Sequence, residues 1–231
     1  MRKQDARQDG YTKHNIRFSI RNKILLLSAA AALPFLLLVV YLVISLTNYS
    51  RTYDQIVSNL TVANNYNLNF KEEMDESLYK LVVGYVTFDN ISKDDTLKDP
   101  YVLISELRGE FSELMDITTE VESKMWLQSL LRNINTLEKR VDDIKESSLK
   151  GGMYNENIEV LDKNIYILTE LIQDDIQYYI YYQTKSMEKI TDTLNKQVQE
   201  FIFLCSIIIV VLVIAVSVTT WLIASGIRRP I

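Results

Sequence analysis

Two clusters in the middle of the chain carry the residue types that could bind a small molecule. Asn64-Asn65-Tyr66-Asn67-Leu68-Asn69 sets four asparagines within six residues, and Tyr178-Tyr179-Ile180-Tyr181-Tyr182 sets four tyrosines within five. Asparagine amides both donate and accept hydrogen bonds, and tyrosine adds a flat apolar face with a hydroxyl at its tip. Together they could line a polar-aromatic pocket for a small ligand such as a sugar or a peptide fragment, with Asn64, Asn67, Tyr178, Tyr179 and Tyr182 as its candidate contacts. Two other uses stay open. Asn67 falls on an apolar seam, where a single buried Asn fixes register or oligomeric state, and the tyrosines could be interface packing or contact a partner protein.

No catalytic residue can be named. The one histidine, His14, lies in a basic N-terminal stretch and by itself forms neither a metal cluster nor a catalytic dyad, so no metal is expected. No Gly-rich phosphate loop, P-loop or nucleophile elbow is present. The acidic pairs Glu72-Glu73, Asp94-Asp95, Asp142-Asp143 and Asp174-Asp175 are adjacent in sequence. On a helix they diverge by about 100° and read as solvated faces.

The elements that hold the two clusters are bracketed by apolar segments. Residues 24–46 are apolar apart from Ser28, Ser45 and the Tyr41 hydroxyl, and residues 201–224 carry no charge. Each exceeds the roughly 20 residues that cross a bilayer core. The first is too long for a signal-peptide core and reads as an uncleaved anchor. Residues 1–23 hold seven Lys/Arg against two Asp, and residues 225–231 hold Arg228 and Arg229, which leaves 16 basic and 28 acidic residues in 47–200, a net of −12. Basic flanks stay cytoplasmic. The expected layout is therefore a basic cytoplasmic tail (1–23), a membrane helix (24–46), an extracellular domain (47–200), a second membrane helix (201–224) and a short cytoplasmic end (225–231). Its partners include the lipid bilayer and no nucleic acid. The single cysteine, Cys205, sits in the second span, so no intrachain disulfide supports the outer domain.

Apolar residues at steps of three and four make the whole outer domain helical. The first seam reads Tyr53, Ile56, Leu60, Ala63, Asn67, Phe70, Met74, Leu78, Leu81, Tyr85 and Phe88, and breaks in the polar stretch 89–95. Asp99 and Pro100 open a second helix as cap and first residue; its stripe is Ile104, Leu107, Phe111 and Leu114. Thr119 with Glu122 reads as a capping box and starts a third helix with Leu127, Leu130, Ile134, Leu137, Val141 and Ile144. Gly151-Gly152 ends it. A fourth, capped by Asn155, carries Ile158, Leu161, Ile165, Leu168, Ile172, Ile176 and Tyr179 and runs without a breaker into the second span. The predicted fold is all-α: two transmembrane helices flanking an extracellular antiparallel four-helix bundle, whose long first and fourth helices reach about 65 Å from the membrane. The second helix is short, so near the membrane only two helices remain, and a homodimer is expected to complete the core there. Both clusters lie about 20 residues from the membrane, level with the turn between the second and third helices.

Ile227-Arg228-Arg229-Pro230-Ile231, directly after a span, resembles the opening of a HAMP domain, the parallel four-helix signal converter of bacterial receptors. Phe18-Ser19-Ile20-Arg21-Asn22-Lys23 before the first span and residues 53–60 after it resemble the YesM-like sensor histidine kinases of Gram-positive bacteria. The resemblance places Gly226 at the junction of membrane and HAMP helices and Pro230 at the HAMP start, as relay positions. It implies a bacterial plasma membrane protein with both termini cytoplasmic. It also implies a dimeric kinase core that uses ATP and Mg, autophosphorylates on histidine and passes the phosphate to a response regulator. That core is absent from these residues, so no cofactor is expected in this chain, which reads as the input half. Two alternatives share the pattern: the input half of a methyl-accepting chemoreceptor, and a membrane-anchored helical adaptor that does not signal.

Overall fold

A computed structural model describes the backbone of residues 20–94, 96–150 and 154–227. His14, Asp95, Gly151-Gly152 and Pro230 lie outside the described residues. Every regular element among those described is helical. Helix α1 is Ile20–Val82, α2 is Pro100–Ile117, α3 is Val121–Leu149 and α4 is Tyr154–Val160. A π-helical turn, Leu161–Ile165, follows α4 and leads into α5, Tyr166–Ile227. The chain divides into two compact units: the apolar ends of α1, to Ser45, and of α5, from Gln197; and residues Leu46–Lys196.

In the first unit, α1 and α5 are both long and apolar enough to cross a membrane. Their most apolar 18-residue stretches have mean hydropathy 2.0 and 3.3, and none of either stretch is buried. A core helix of that composition would be covered by protein; apolar faces open all round match lipid. The hydroxyls in the α5 stretch are satisfied within the helix. Ser206 donates to the Ile202 carbonyl at 2.8 Å and Ser217 to Val213 at 2.7 Å, which removes the cost of carrying them through hydrocarbon. Ser45 Oγ donates to Gln197 Oε1 at 2.9 Å and links the two helices at the polar edge of this unit.

The second unit is built on one buried cluster to which α1, α2, α3, the π turn and α5 all contribute. The six apolar residues that define the α3 stripe, from Leu127 to Ile144, are each fully buried. Burial of a Leu or Ile side chain is worth about 1.5–3 kcal/mol, so this stripe fixes which face of α3 points inward. On α2, Leu103, Ile104, Leu107, Phe111 and Leu114 do the same. The Phe111 ring is the centrepiece: it packs edge-on against Tyr66 of α1 (5.8 Å between centroids) and Tyr179 of α5 (6.4 Å).

Helix α1 stops earlier than its seam suggests. It ends at Val82, and Tyr85 and Phe88 belong to the following loop, with Tyr85 exposed. Gly84 is the cause. It adopts φ +76°, its N–H donates to the Leu81 carbonyl at 3.2 Å, and the Tyr85 N–H donates to Lys80 at 2.9 Å. That pair of bonds is a Schellman cap, which closes a helix around a left-handed glycine. The Lys80 ammonium lies 5.7 Å from the Tyr85 ring and covers the cap.

The other boundaries follow local chemistry. Asp99 accepts from the Tyr101 N–H at 2.9 Å and Pro100 takes the first position of α2, as expected. The α2–α3 break is also where expected, but its cap is one residue later. Glu120, not Thr119, accepts from the Ser123 N–H, at 2.6 Å. Burial pushes the Glu120 carboxyl up, yet its hydrogen bonds with Glu122 and Ser123 outweigh that and hold it below the usual carboxylate range. Asn155, expected as a cap, lies in the first turn of α4.

The run through the fourth stripe is not uniform α-helix. The Tyr166 N–H donates to the Leu161 carbonyl, five residues back, which defines the π turn. Leu161, Ile165 and Thr169 are all fully buried. Two successive steps of four outrun the 3.6-residue α repeat, and the wider turn keeps all three facing the core. Thr169, where the stripe predicts Leu168, donates to Asp75 Oδ1 of α1 at 2.8 Å.

Candidate functional site

The five residues singled out for a pocket do not share one. Asn64 is exposed on α1. Asn67 is half-buried; its carbonyl accepts from Gln173 Nε2 at 2.9 Å, and its own Oδ1 is buried without a partner. Tyr178 is half-exposed and stacks on Trp126 of α3, with centroids 4.2 Å apart and planes 13° from parallel. Tyr182 packs edge-on against Tyr181 at 5.2 Å, with the Lys185 ammonium 5.9 Å from its ring. Only Tyr179 is fully buried. Gly226 lies within α5.

Tyr179 leads to a different set of residues. Its hydroxyl is buried and has no hydrogen bond of ordinary geometry. Burial pushes the phenol up, and Thr118 and Asn59, close to its oxygen, oppose this only in part. Asn59 therefore stands where Asn67 was expected, about two turns along α1. Asn59, Thr118 and Gln183 are all 5 % exposed or less. They line a cavity of about 250 Å³ together with Thr119 and Glu120 of the α2–α3 turn and Ser186 of α5. Thr118 Oγ1 is buried there with no hydrogen bond of ordinary geometry, next to the Tyr179 hydroxyl.

These residues were missed for a definable reason. The α1 seam can be threaded through Ile56, Leu60 and Ala63 or through Ile56, Asn59 and Ala63, and both obey helical spacing. The structure buries Asn59 and leaves Leu60 half-covered. Thr118 carries no periodic signal because it lies between helices.

Higher on the same unit a wider depression of about 760 Å³ runs between α1 and α5, lined by Lys71, Asp75, Glu76, Tyr166 and Gln173 among others. Its one cation is already matched: Lys71 pairs with Asp75 at 2.6 Å, and Asp75 also takes the Thr169 bond. The cavity beside Tyr179 is the better candidate, since the buried, uncharged polar side chains of Asn59, Thr118 and Gln183 line it. Among the described residues no group of three or more His, Cys, Asp or Glu could hold a metal ion.

No protein-family model matches the chain, and neither does any curated protein or any solved structure.

Proposed function

We propose that the chain is the signal-input module of a bacterial two-component sensor histidine kinase. On this reading residues 47–200 form an antiparallel four-helix sensor outside the cell. Both termini are cytoplasmic, and the second membrane helix relays the stimulus to a HAMP domain that opens at Ile227–Ile231. ATP, Mg²⁺ and a response regulator belong to a cytoplasmic kinase core beyond these residues. Two copies pair near the membrane, where α1 needs cover: between residues 46 and 60 it buries only Ile56 and Asn59, and Tyr53 and Val57 stay substantially exposed.

The observation that carries the reading is the extent of α5. One helix, Tyr166–Ile227, holds both Tyr179 of the buried cluster and the uncharged stretch from residue 201. A shift of an ångström or two in such a helix is an established way to switch a receptor. The basic ends and acidic middle support the orientation.

Two measurements test this. With Cys205→Ser removing the native thiol, Asn90→Cys is expected to react with a membrane-impermeant maleimide on intact cells, and Gly10→Cys is not; the reverse pattern rejects the orientation. With residues 1–231 fused ahead of the remaining HAMP and kinase core of a reporter receptor, three glycines inserted after Gln199 are expected to change output several-fold. Unchanged output rejects relay through the helix.

A further inference from the structure

We infer that the cavity beside Tyr179 is a binding site for a small, neutral, polyhydroxylated molecule, a polyol or monosaccharide, and that Thr118 and Gln183 are its principal hydrogen-bonding contacts. The inference concerns binding by residues 46–196 and stands whether or not the chain signals.

Three observations support it. The first is a surplus of hydrogen-bonding capacity. Thr118 Oγ1, close to the Tyr179 hydroxyl, is buried with no hydrogen bond of ordinary geometry, and it lines the cavity beside Asn59 and Gln183, both 5 % exposed or less. Buried polar groups are nearly always satisfied, so a wall of such groups lining a cavity marks a position where a partner belongs. The Thr118 hydroxyl both donates and accepts, as do the amides of Asn59 and Gln183 that line the same wall. A ligand hydroxyl has the same dual capacity and can satisfy such a set in either direction.

Charge is the second. No Lys or Arg lines the cavity, and its one ionisable residue is Glu120, whose carboxyl is held below the usual range by its own hydrogen bonds. An anion would enter without a counter-charge and against a carboxylate. An amine would find that carboxylate already bonded to the Ser123 N–H at 2.6 Å. A neutral guest faces neither penalty.

The third is size. The volume of about 250 Å³ is several times the roughly 30 Å³ share of a single water. It falls just short of the roughly 300–1,000 Å³ typical of drug-sized ligands. That range suits a molecule of about four to six carbons. Ile56 and Ile190 supply apolar wall for its carbon face.

The site joins three parts of the unit: α1 through Asn59, the α2–α3 turn through Thr118, and α5 through Gln183. An occupant therefore bridges α1 and α5 at the level of that turn.

The test uses the whole chain in nanodiscs, with xylitol and glucose as probes and acetate, phosphate and ethylamine as charged controls, read by saturation-transfer NMR with titration. At least one neutral probe is expected to bind saturably, and the charged controls are not. Thr118→Val keeps the shape of the side chain and Gln183→Met keeps nearly its length and volume, so both variants are expected to fold. Each is expected to weaken binding at least tenfold, whereas the surface change Tyr154→Phe leaves it unaltered. Absence of saturable binding by both neutral probes overturns the inference. So does undiminished binding in both Thr118→Val and Gln183→Met, or binding confined to a charged control.

Discussion

Asn133 of α3 donates from Nδ2 to Asp175 Oδ2 of α5 at 2.7 Å, and the acceptor residue is only 5 % exposed. A carboxylate in that position is held by an amide rather than by a cation. Burial pushes its carboxyl up from the usual carboxylate range. Asp174 adds to the rise, while hydrogen bonds from Asn133 and Ser129 and the more distant charge of Arg132 oppose it.

The pH dependence follows from the direction of that shift. A carboxyl whose folded value is raised takes up its proton more readily in the folded state, so its stabilising contribution is full in acid and is lost as pH rises through the folded value. Asp175→Asn keeps an oxygen that can accept from Asn133 and never ionises. The variant is expected to melt at a higher temperature than the parent at pH 7, with the advantage shrinking toward pH 4. Thermal unfolding of the two proteins across that range checks this, and a lower melting temperature for the variant at pH 7 contradicts it.

Gly84 gives a backbone test. A β-carbon built there meets nothing within 4 Å, so replacement has no steric collision to confuse it. Its φ of +76° is the whole cost. Gly84→Ala is expected to destabilise by about 1 kcal/mol, and Gly84→Asn by less, since Asn tolerates the left-handed region. Denaturant titration reads the difference as a shifted midpoint with an unchanged slope.

Glu120 gives a capping test with the opposite pH sense to Asp175. Its carboxyl lies below the usual range, so its contribution is present at neutral pH and lost on acidification through the folded value. Glu120→Ala is expected to cost about 1 kcal/mol at pH 7 and much less at pH 3. An equal cost at both pH values contradicts a charged cap.

The α5 apolar stretch is tested by Val210→Arg. Val210 is more than half exposed in the middle of a run without charge. An arginine at the centre of a membrane helix costs about 2.5–3.5 kcal/mol on insertion scales. The variant is expected to lose a large fraction of its alkaline-carbonate-resistant membrane association, whereas Tyr154→Arg in the folded unit keeps it.

What could be read from the residues depends on how local the cause is. The α3 stripe from Leu127 to Ile144 was legible because six residues repeat one period and nothing interrupts it. Asp99-Pro100 was legible because a cap and a fixed φ act on their immediate neighbours. The end of α1 was not, because Tyr85 and Phe88 continue the period that Gly84 interrupts, and a single glycine outweighed two aromatics. The π turn was hidden for a related reason: Leu168 and Thr169 both sit near the seam, and the Thr169–Asp75 hydrogen bond decides between them. Next to the candidate site, Tyr179 was visible within its tyrosine run. Asn59 and Thr118 were not, since one competes with Leu60 for the same face and the other belongs to a turn. Their juxtaposition is tertiary and has no signature along the chain.

The turn from Leu161 to Ile165 also sets a rule for anyone recombining this sequence. It takes up one more residue than an ordinary helical turn, so segments on either side of it are out of phase by about 100° relative to a uniform rod. A splice that preserves helicity but drops a residue there rotates everything downstream, Tyr179 and Gln183 included, away from the partners they now face. Chimaeras joined below that point inherit the correct phase, and those joined above it must count residues through it.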